Sequence, residues 1–211
     1  MKKVPRFHVV STGRQSTEEL VHTISAIHPY VDVIHLREKA KTAAELVYII
    51  EELKRYQVPL SQIVINDRAD VAYAMKVRGV HLAYHSLSPD QVKQNGSSLL
   101  VGRSVHSIDE ARLAEEQGAD YVFYGHVYPS QSKQGQLPRG VFSLEEVAKS
   151  VSIPVIAIGG IDYERISEIQ QTSAYGIAVM SGIFLAENPA EEAKRYQNFL
   201  QKGEGNDARI L

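Results

Sequence analysis

The chain has no cysteine among its 211 residues, which excludes disulfides, thiolate metal sites and a cysteine nucleophile without fixing a compartment. It has no charge excess either. Its 23 basic and 25 acidic residues leave a formal charge of −2 and a pI near 6.4, so no global basic field is present to hold nucleic acid or an anionic membrane surface. An anionic ligand would have to be held by local positive charge. Long apolar runs are missing too. The basic start Met1-Lys2-Lys3-Val4-Pro5-Arg6 leads into none, neither a signal peptide nor a membrane span is visible, and a cytoplasmic protein is expected. No linker, low-complexity tract or shift in composition divides the chain. One domain over residues 1–211 is the economical reading, with the polar tail 203–211 expected to fray.

What the chain does contain is a segment, Pro154-Val155-Ile156-Ala157-Ile158-Gly159-Gly160, that reads as a buried strand ending in two glycines. A second apolar run, from Gly176 to Met180, ends in Ser181 and Gly182. Consecutive strands that stop at small residues can turn backbone N–H groups toward an anion, as the last two strands of a (β/α)8 barrel do. The expected ligand is a phosphorylated small molecule. Strand-like runs recur at 7–11, 31–36, 63–66, 79–82, 99–104, 121–126, 155–159 and 176–180. Between them, apolar residues spaced by three and four predict helices over 17–27, 42–56, 108–117, 143–149, 163–170 and 190–201, with weaker patterns at 69–76 and 88–95. Strands apolar almost throughout call for a parallel sheet covered on both faces, and eight strand–helix units predict an α/β fold, a single (β/α)8 TIM barrel. Ser16 with Glu19, Ser107 with Glu110 and Ser143 with Glu146 read as helix N-caps.

In such a barrel the reacting groups stand at the C-terminal ends of strands and in the loops that follow. That position selects His35, Arg37 and Lys39; Asn66 and Asp67; Tyr84 and His85; Ser104 and His106; and His126 and Lys133. Arg37 could pair both oxygens of a carboxylate or phosphate with its planar fork, the alternative being a salt bridge to Glu38 or Asp67. His126 would overhang the mouth as a group able to exchange a proton near neutral pH, the alternative being a hydrogen-bonded packing residue. His8, His22 and His28 read as structural or surface residues, and His81 as a barrel-layer residue. Asn66-Asp67 could meet a divalent cation, but 81–86 offers no second carboxylate, so Asp67 reads better as an organiser of Arg37 or Arg68 and no metal is expected. The polar, glycine-containing stretch 127–140 reads as an active-site lid or as a plain surface loop, with Lys133 placed to bring charge over an anion.

Five segments in order, His35-Leu36-Arg37-Glu38-Lys39, Ile65-Asn66-Asp67-Arg68, Gly79-Val80-His81-Leu82, Gly118-Ala119-Asp120-Tyr121 and Ala157-Ile158-Gly159-Gly160-Ile161, resemble the thiamin phosphate synthase superfamily over nearly the whole chain. Departures from the synthase pattern are His35 in place of Gln, Ala83-Tyr84-His85-Ser86 in place of Gly-Gln-Glu-Asp, Gly125-His126 in place of Gly-Pro, and Ser130-Gln131-Ser132-Lys133 in place of Thr-Pro-Thr-Lys. Gly102 to Ser107, Tyr124-Gly125-His126-Val127 and Ala178 to Phe184 resemble instead the thiazole tautomerases (TenI) of that superfamily. Asp67 and Lys39 are retained although the tautomerase pattern does not require them. The resemblance implies an isomerase of thiamin biosynthesis that aromatises a carboxythiazole phosphate by an acid–base proton shift, with no cofactor; the alternatives are a magnesium-dependent thiamin phosphate synthase and a non-catalytic regulator that binds thiazole phosphate. It places the catalytic histidine on His126. Arg37 would hold the carboxylate, and Gly159, Gly160, Ser181 and Gly182 the phosphate, with Ser104, Lys133, Asn66 and His35 contributing to the substrate site. The implied partner is the phosphorylated thiazole alone, and oligomeric state is left open, a homo-oligomer included.

Overall fold

The computed structural model describes residues 3–94, 98–133 and 135–207. Strands and helices alternate as β1 (Phe7–Val10), α1 (Thr17–Ile27), β2 (Val33–Leu36), α2 (Ala43–Arg55), β3 (Ile63–Asn66), α3 (Ala69–Ala74), β4 (Gly79–Leu82) and α4 (Pro89–Lys93). The second half continues with β5 (Leu100–Val105), α5 (Ile108–Glu116), β6 (Tyr121–Gly125), α6 (Gly140–Ser150), β7 (Val155–Ile158), α7 (Ile166–Gln170), β8 (Gly176–Val179), α8 (Ser181–Phe184) and α9 (Pro189–Asp207). All eight strands pair in parallel with their sequence neighbours, and β1 pairs β8 through Phe7 with Ile177. The sheet closes into a (β/α)8 barrel.

Because both strand faces are covered, β1, β2, β4, β6 and β8 are buried at every residue. Outward-facing strand residues pack against helix stripes such as Leu20, Val21, Ile24 and Ile27 of α1 and Leu46, Ile49, Ile50 and Leu53 of α2. The interior is a separate layer containing Val10, Leu100, Tyr121, Phe123, Ile156 and Ala178, with the rings of His8, His35 and His81 packed at a tilt against Tyr121 and Phe123. His81 thus stands in the barrel layer, 2 % exposed, as its position inside the fourth strand implies.

Two helix starts match the cap pattern. Ser16 and Glu19 form a reciprocal capping box, and the Ser107 hydroxyl accepts from Glu110 N. The third does not, because α6 already begins at Gly140 and Ser143 lies inside it. The expected helix 163–170 is a 3-10 turn (Tyr163–Arg165) running into α7, and the weaker patterns shorten to α3 and α4, with Asn95 outside the described residues. Helix α9 extends across 203–207, where fraying is expected from the composition, and 208–211 lie outside the described residues. Among the described residues no helix is long and apolar enough to cross a membrane.

Candidate active site

At the C-terminal end of the barrel, the loop after β1 is tied to its neighbours by side chains. Ser11 Oγ donates to Glu38 Oε1 at 2.6 Å and accepts from Arg37 N at 2.9 Å. Thr12 Oγ1 donates to Gln15 Oε1, and Gln15 Nε2 reaches across to the Phe184 carbonyl of α8 at 2.8 Å. These bonds frame a cavity of about 180 Å3 whose lining includes Thr12, Arg14, Arg37, Ser132, Met180 and Ser181. Glu38 is engaged by Ser11, and Arg37 makes no ion pair among the described residues, so neither salt bridge offered by the sequence forms. Burial lowers the pKa of the half-buried Arg37 guanidinium, partly offset by Glu38. The Lys39 ammonium is lowered first by Arg37, then by burial and by Lys133. Three cations close enough to repel one another concentrate positive potential at this rim. Thr12 and Arg14 stand in the loop after β1, a strand-end position of the same kind as those of His35 and Asn66, and that position is the sequence signal that marks them.

A larger crevice of about 720 Å3 opens at the other end, beside the start of β1 and β8 and lined by Asp32, Thr172 and Gln197 among others. Its size does not make it the reactive site, since chemistry in this architecture belongs to the strand ends opposite.

His126 follows β6, 8 % exposed. Its ring contacts the Gln136 carbonyl through Nε2 at 3.3 Å. A carbonyl only accepts, so in the neutral ring Nε2 carries the proton and Nδ1 the lone pair. The loop between folds back on the strand end: Arg139 Nε donates to Gly125 O at 3.0 Å, Arg139 N to His126 O at 2.9 Å and Gly140 N to Val127 O at 3.0 Å. His126 therefore sits under its own loop and does not line the rim cavity. Exposed Lys133 ends a 3-10 turn (Gln131–Lys133) in the same loop.

Gly159 and Gly160 have φ of +100° and +66°. A Cβ at 159 would collide with His126 Cβ and lie 2.7 Å from its Cα, and one at 160 would collide with Pro129 O and lie 2.8 Å from Tyr128 O. Close contact with the loop after β6 thus gives both glycines a reason to be there. Their N–H groups donate to no protein acceptor among the described residues. Ser181 lines the rim cavity, while a Cβ at Gly182 would lie 2.8 Å from Tyr196 Oη.

His35, expected at the rim, is instead fully buried in the barrel floor. Its Nε2 lies 2.9 Å from His8 Nδ1, and His8 Nε2 lies 2.9 Å from Pro5 O. The Pro5 carbonyl can only accept, so His8 donates to it through Nε2, His35 donates to His8 through Nε2, and His35 Nδ1 keeps a lone pair. That atom and Asn66 Oδ1 are both buried without a partner. The Asn66 side chain stands beside His35, and turning its NH2 toward Nδ1 supplies the missing donor. Burial pushes the His35 pKa well below its usual value, with His8 and His81 adding to the effect. A ring that resists protonation this strongly is unsuited to general acid–base work.

Asp67 at the end of β3 has φ of +67° and donates its N–H to His81 O. Arg68 pairs with Asp70, and Asp67 Oδ2 lies 3.6 Å from His85 Nε2. The Asp67 carboxylate thus faces an imidazole from the end of β4 and makes no ion pair with Arg37 or Arg68 among the described residues, although its charge, after the Asp70 contacts, adds to the raising of the Arg68 pKa. Among the described residues no group of three or more His, Asp or Glu is placed to hold a metal ion. Ser104 Oγ lies inside the barrel wall, 2.9 Å from His81 Nε2.

A closed sheet of eight strand–helix units, with a cationic rim at its C-terminal end, places the chain among the (β/α)8 barrels. More particularly, the thiamine monophosphate synthase family (TMP-TENI) matches residues 7–183, and the chain belongs to that family. It is 36 % identical to the thiamine-phosphate synthase of Chlorobium luteolum, over 90 % of this chain and 93 % of that protein. With the thiamine-phosphate synthase of Caldivirga maquilingensis it shares 36 % identity over 79 % and 82 % of the two chains. Among solved structures it resembles the thiamine phosphate pyrophosphorylase of Pyrococcus furiosus at a TM-score of 0.78 and 26 % identity, covering 94 % and 96 %. A likeness to 3-hexulose-6-phosphate synthase, TM-score 0.72 at 17 % identity, concerns the fold.

Proposed function

We propose that this member of the family is a thiazole tautomerase, converting a non-aromatic carboxythiazole phosphate into its aromatic isomer. The observation that carries the reading is His126 at the end of β6, its Nε2 proton engaged by the Gln136 carbonyl and its Nδ1 left as a base. In the proposed reaction a proton leaves ring C2, beside the carboxylate, and a proton is added at the exocyclic carbon, so atoms balance and nothing is oxidised. Such a shift needs a group that changes protonation near working pH and anchors that fix the carbon skeleton. In this reading His126 takes the proton from ring C2 through Nδ1. Arg37 would hold the carboxylate, and the N–H groups of Gly159 and Gly160, with Ser181, the phosphate. Lys133 and Asn66 complete the charged and polar surround.

The second reading is a thiamine-phosphate synthase, which the names of the relatives and the retained Asp67 and Lys39 favour. A magnesium-dependent transfer of that kind asks for carboxylates around the metal and the phosphate oxygens. The donor set does not fit: Asp67 faces His85, and the end of β4 supplies Tyr84 and His85 in place of a carboxylate. A single pair of assays separates the readings. Purified protein is expected to aromatise the tautomer without added metal, and His126→Ala is expected to lose about a hundred- to ten-thousand-fold in kcat while remaining folded. Wild-type turnover in that variant, or thiamin phosphate formed from the two synthase substrates with magnesium, overturns the proposal.

A further inference from the structure

The barrel interior also holds a polar chain that runs from Tyr121 through His81 to Ser104. Ser104, half-buried on β5, has its Oγ 2.9 Å from His81 Nε2, and His81 Nδ1 lies 3.3 Å from Tyr121 Oη. The His81 and Tyr121 rings are buried. Position 102 makes their meeting possible, since a Cβ there would lie 2.6 Å from His81 Nδ1 and 2.5 Å from Tyr121 Oη. Glycine leaves the gap open.

A neutral imidazole has one N–H and one lone pair, so the chain can run in two directions. Burial, first, and the charges of His8 and Arg103 lower the His81 pKa to about 3, which keeps the ring neutral. Burial likewise keeps the Tyr121 phenol protonated. With the His81 proton on Nδ1, that N–H donates to Tyr121 Oη. The phenol proton then has no acceptor among the described residues, and the Ser104 proton is used on Nε2. With the proton on Nε2, Tyr121 donates to Nδ1 and Nε2–H donates to Ser104 Oγ. Every buried proton then has an acceptor, and the Ser104 proton is left for the mouth.

We propose that Tyr121, His81 and Ser104 form a one-way hydrogen-bond relay that holds the Ser104 hydroxyl as a donor toward the mouth, where it binds an anionic oxygen of the substrate. This rests on the tautomerase reading, in which that oxygen belongs to the carboxylate beside the carbon that loses its proton. Negative charge grows on the carboxylate as the proton leaves, and a donor already aimed at it needs no reorientation. Ser104 touches substrate, whereas His81 and Tyr121 are positioning residues.

Two measurements test it. In nitrogen-15 spectra of the whole protein, the His81 signal, assigned by its loss in His81→Asn, is expected to show Nε2 protonated and Nδ1 bare. In Tyr121→Phe that preference is expected to relax toward a mixture. In turnover of the non-aromatic carboxythiazole phosphate, Ser104→Ala is expected to lower kcat on the order of a hundred-fold. Tyr121→Phe is expected to lower kcat by only a few-fold with KM unchanged, and the double variant to be no slower than Ser104→Ala alone, as for residues acting in one network. A proton on Nδ1 in the wild type, or losses that multiply in the double variant, overturns the relay. A wild-type protein inert toward the tautomer overturns the proposed function and Ser104's part in it, while the spectra still decide the direction of the chain.

Discussion

At position 159 a single methyl group has nowhere to go, because it would enter the backbone and Cβ of His126 while holding φ at +100°. Gly159→Ala is therefore expected to cost about 1–3 kcal/mol from the backbone conformation alone, read as a lower urea midpoint. Catalysis should fall with stability, since the group displaced is the proposed base. The glycine pair was legible as a strand ending in small residues, but its contact with the next loop was not, because that contact joins segments more than thirty residues apart in sequence. The same limit explains His35 and Asp67. Sequence puts both at strand ends, yet only the closed barrel turns one inward to His8 and sets the other opposite His85. Arg37 and His126 could be singled out because barrel geometry assigns strand-end residues to the mouth whatever their neighbours are.

Helix starts are set by short-range chemistry where the chain is free to choose. In α1 and α2, Ser16 with Glu19 and Thr42 with Glu45 satisfy each other's backbone donors reciprocally. Ser16→Ala and Thr42→Ala are each expected to lower stability by about 1 kcal/mol, measured by urea unfolding, with activity unchanged. The Ser143-x-x-Glu146 pattern is chemically the same and sits in the middle of α6. There the bonds from Arg139 and Gly140 to His126 and Val127 carry the chain into helix earlier, so a tertiary strap overrides the local signal, and Ser143 engages Tyr124 instead. Strand positions were legible to within a residue or two because buried parallel strands are continuous apolar runs. The four-residue α8 was not, since one turn of helix has no periodicity to read.

Over the whole molecule, the three imidazoles in the barrel floor are expected to make the fold acid-labile. Burial lowers His8 to about 4 and His81 to about 3, and His35 well below its usual value. An unfolded chain takes up these protons near pH 6.5 and the folded chain does not, so stability is complete above that pH and declines as pH falls toward the folded values. For His8 alone the separation corresponds to about 3 kcal/mol. The urea midpoint is expected to be flat from pH 8 to 7 and to drop between pH 6.5 and 5, above the range where carboxylates titrate. A flat profile there would show that the floor accepts protons without penalty. Closure of the sheet has a further consequence for how such a chain comes into being. Since β1 acquires its second neighbour only in β8, a polypeptide emerging from the ribosome carries two raw hydrogen-bonding borders through almost its entire synthesis, until the last strand zips them together. During that interval the nascent chain is open to annealing with copies of itself, and protection from wrong partners must come from the helices already made or from a chaperone.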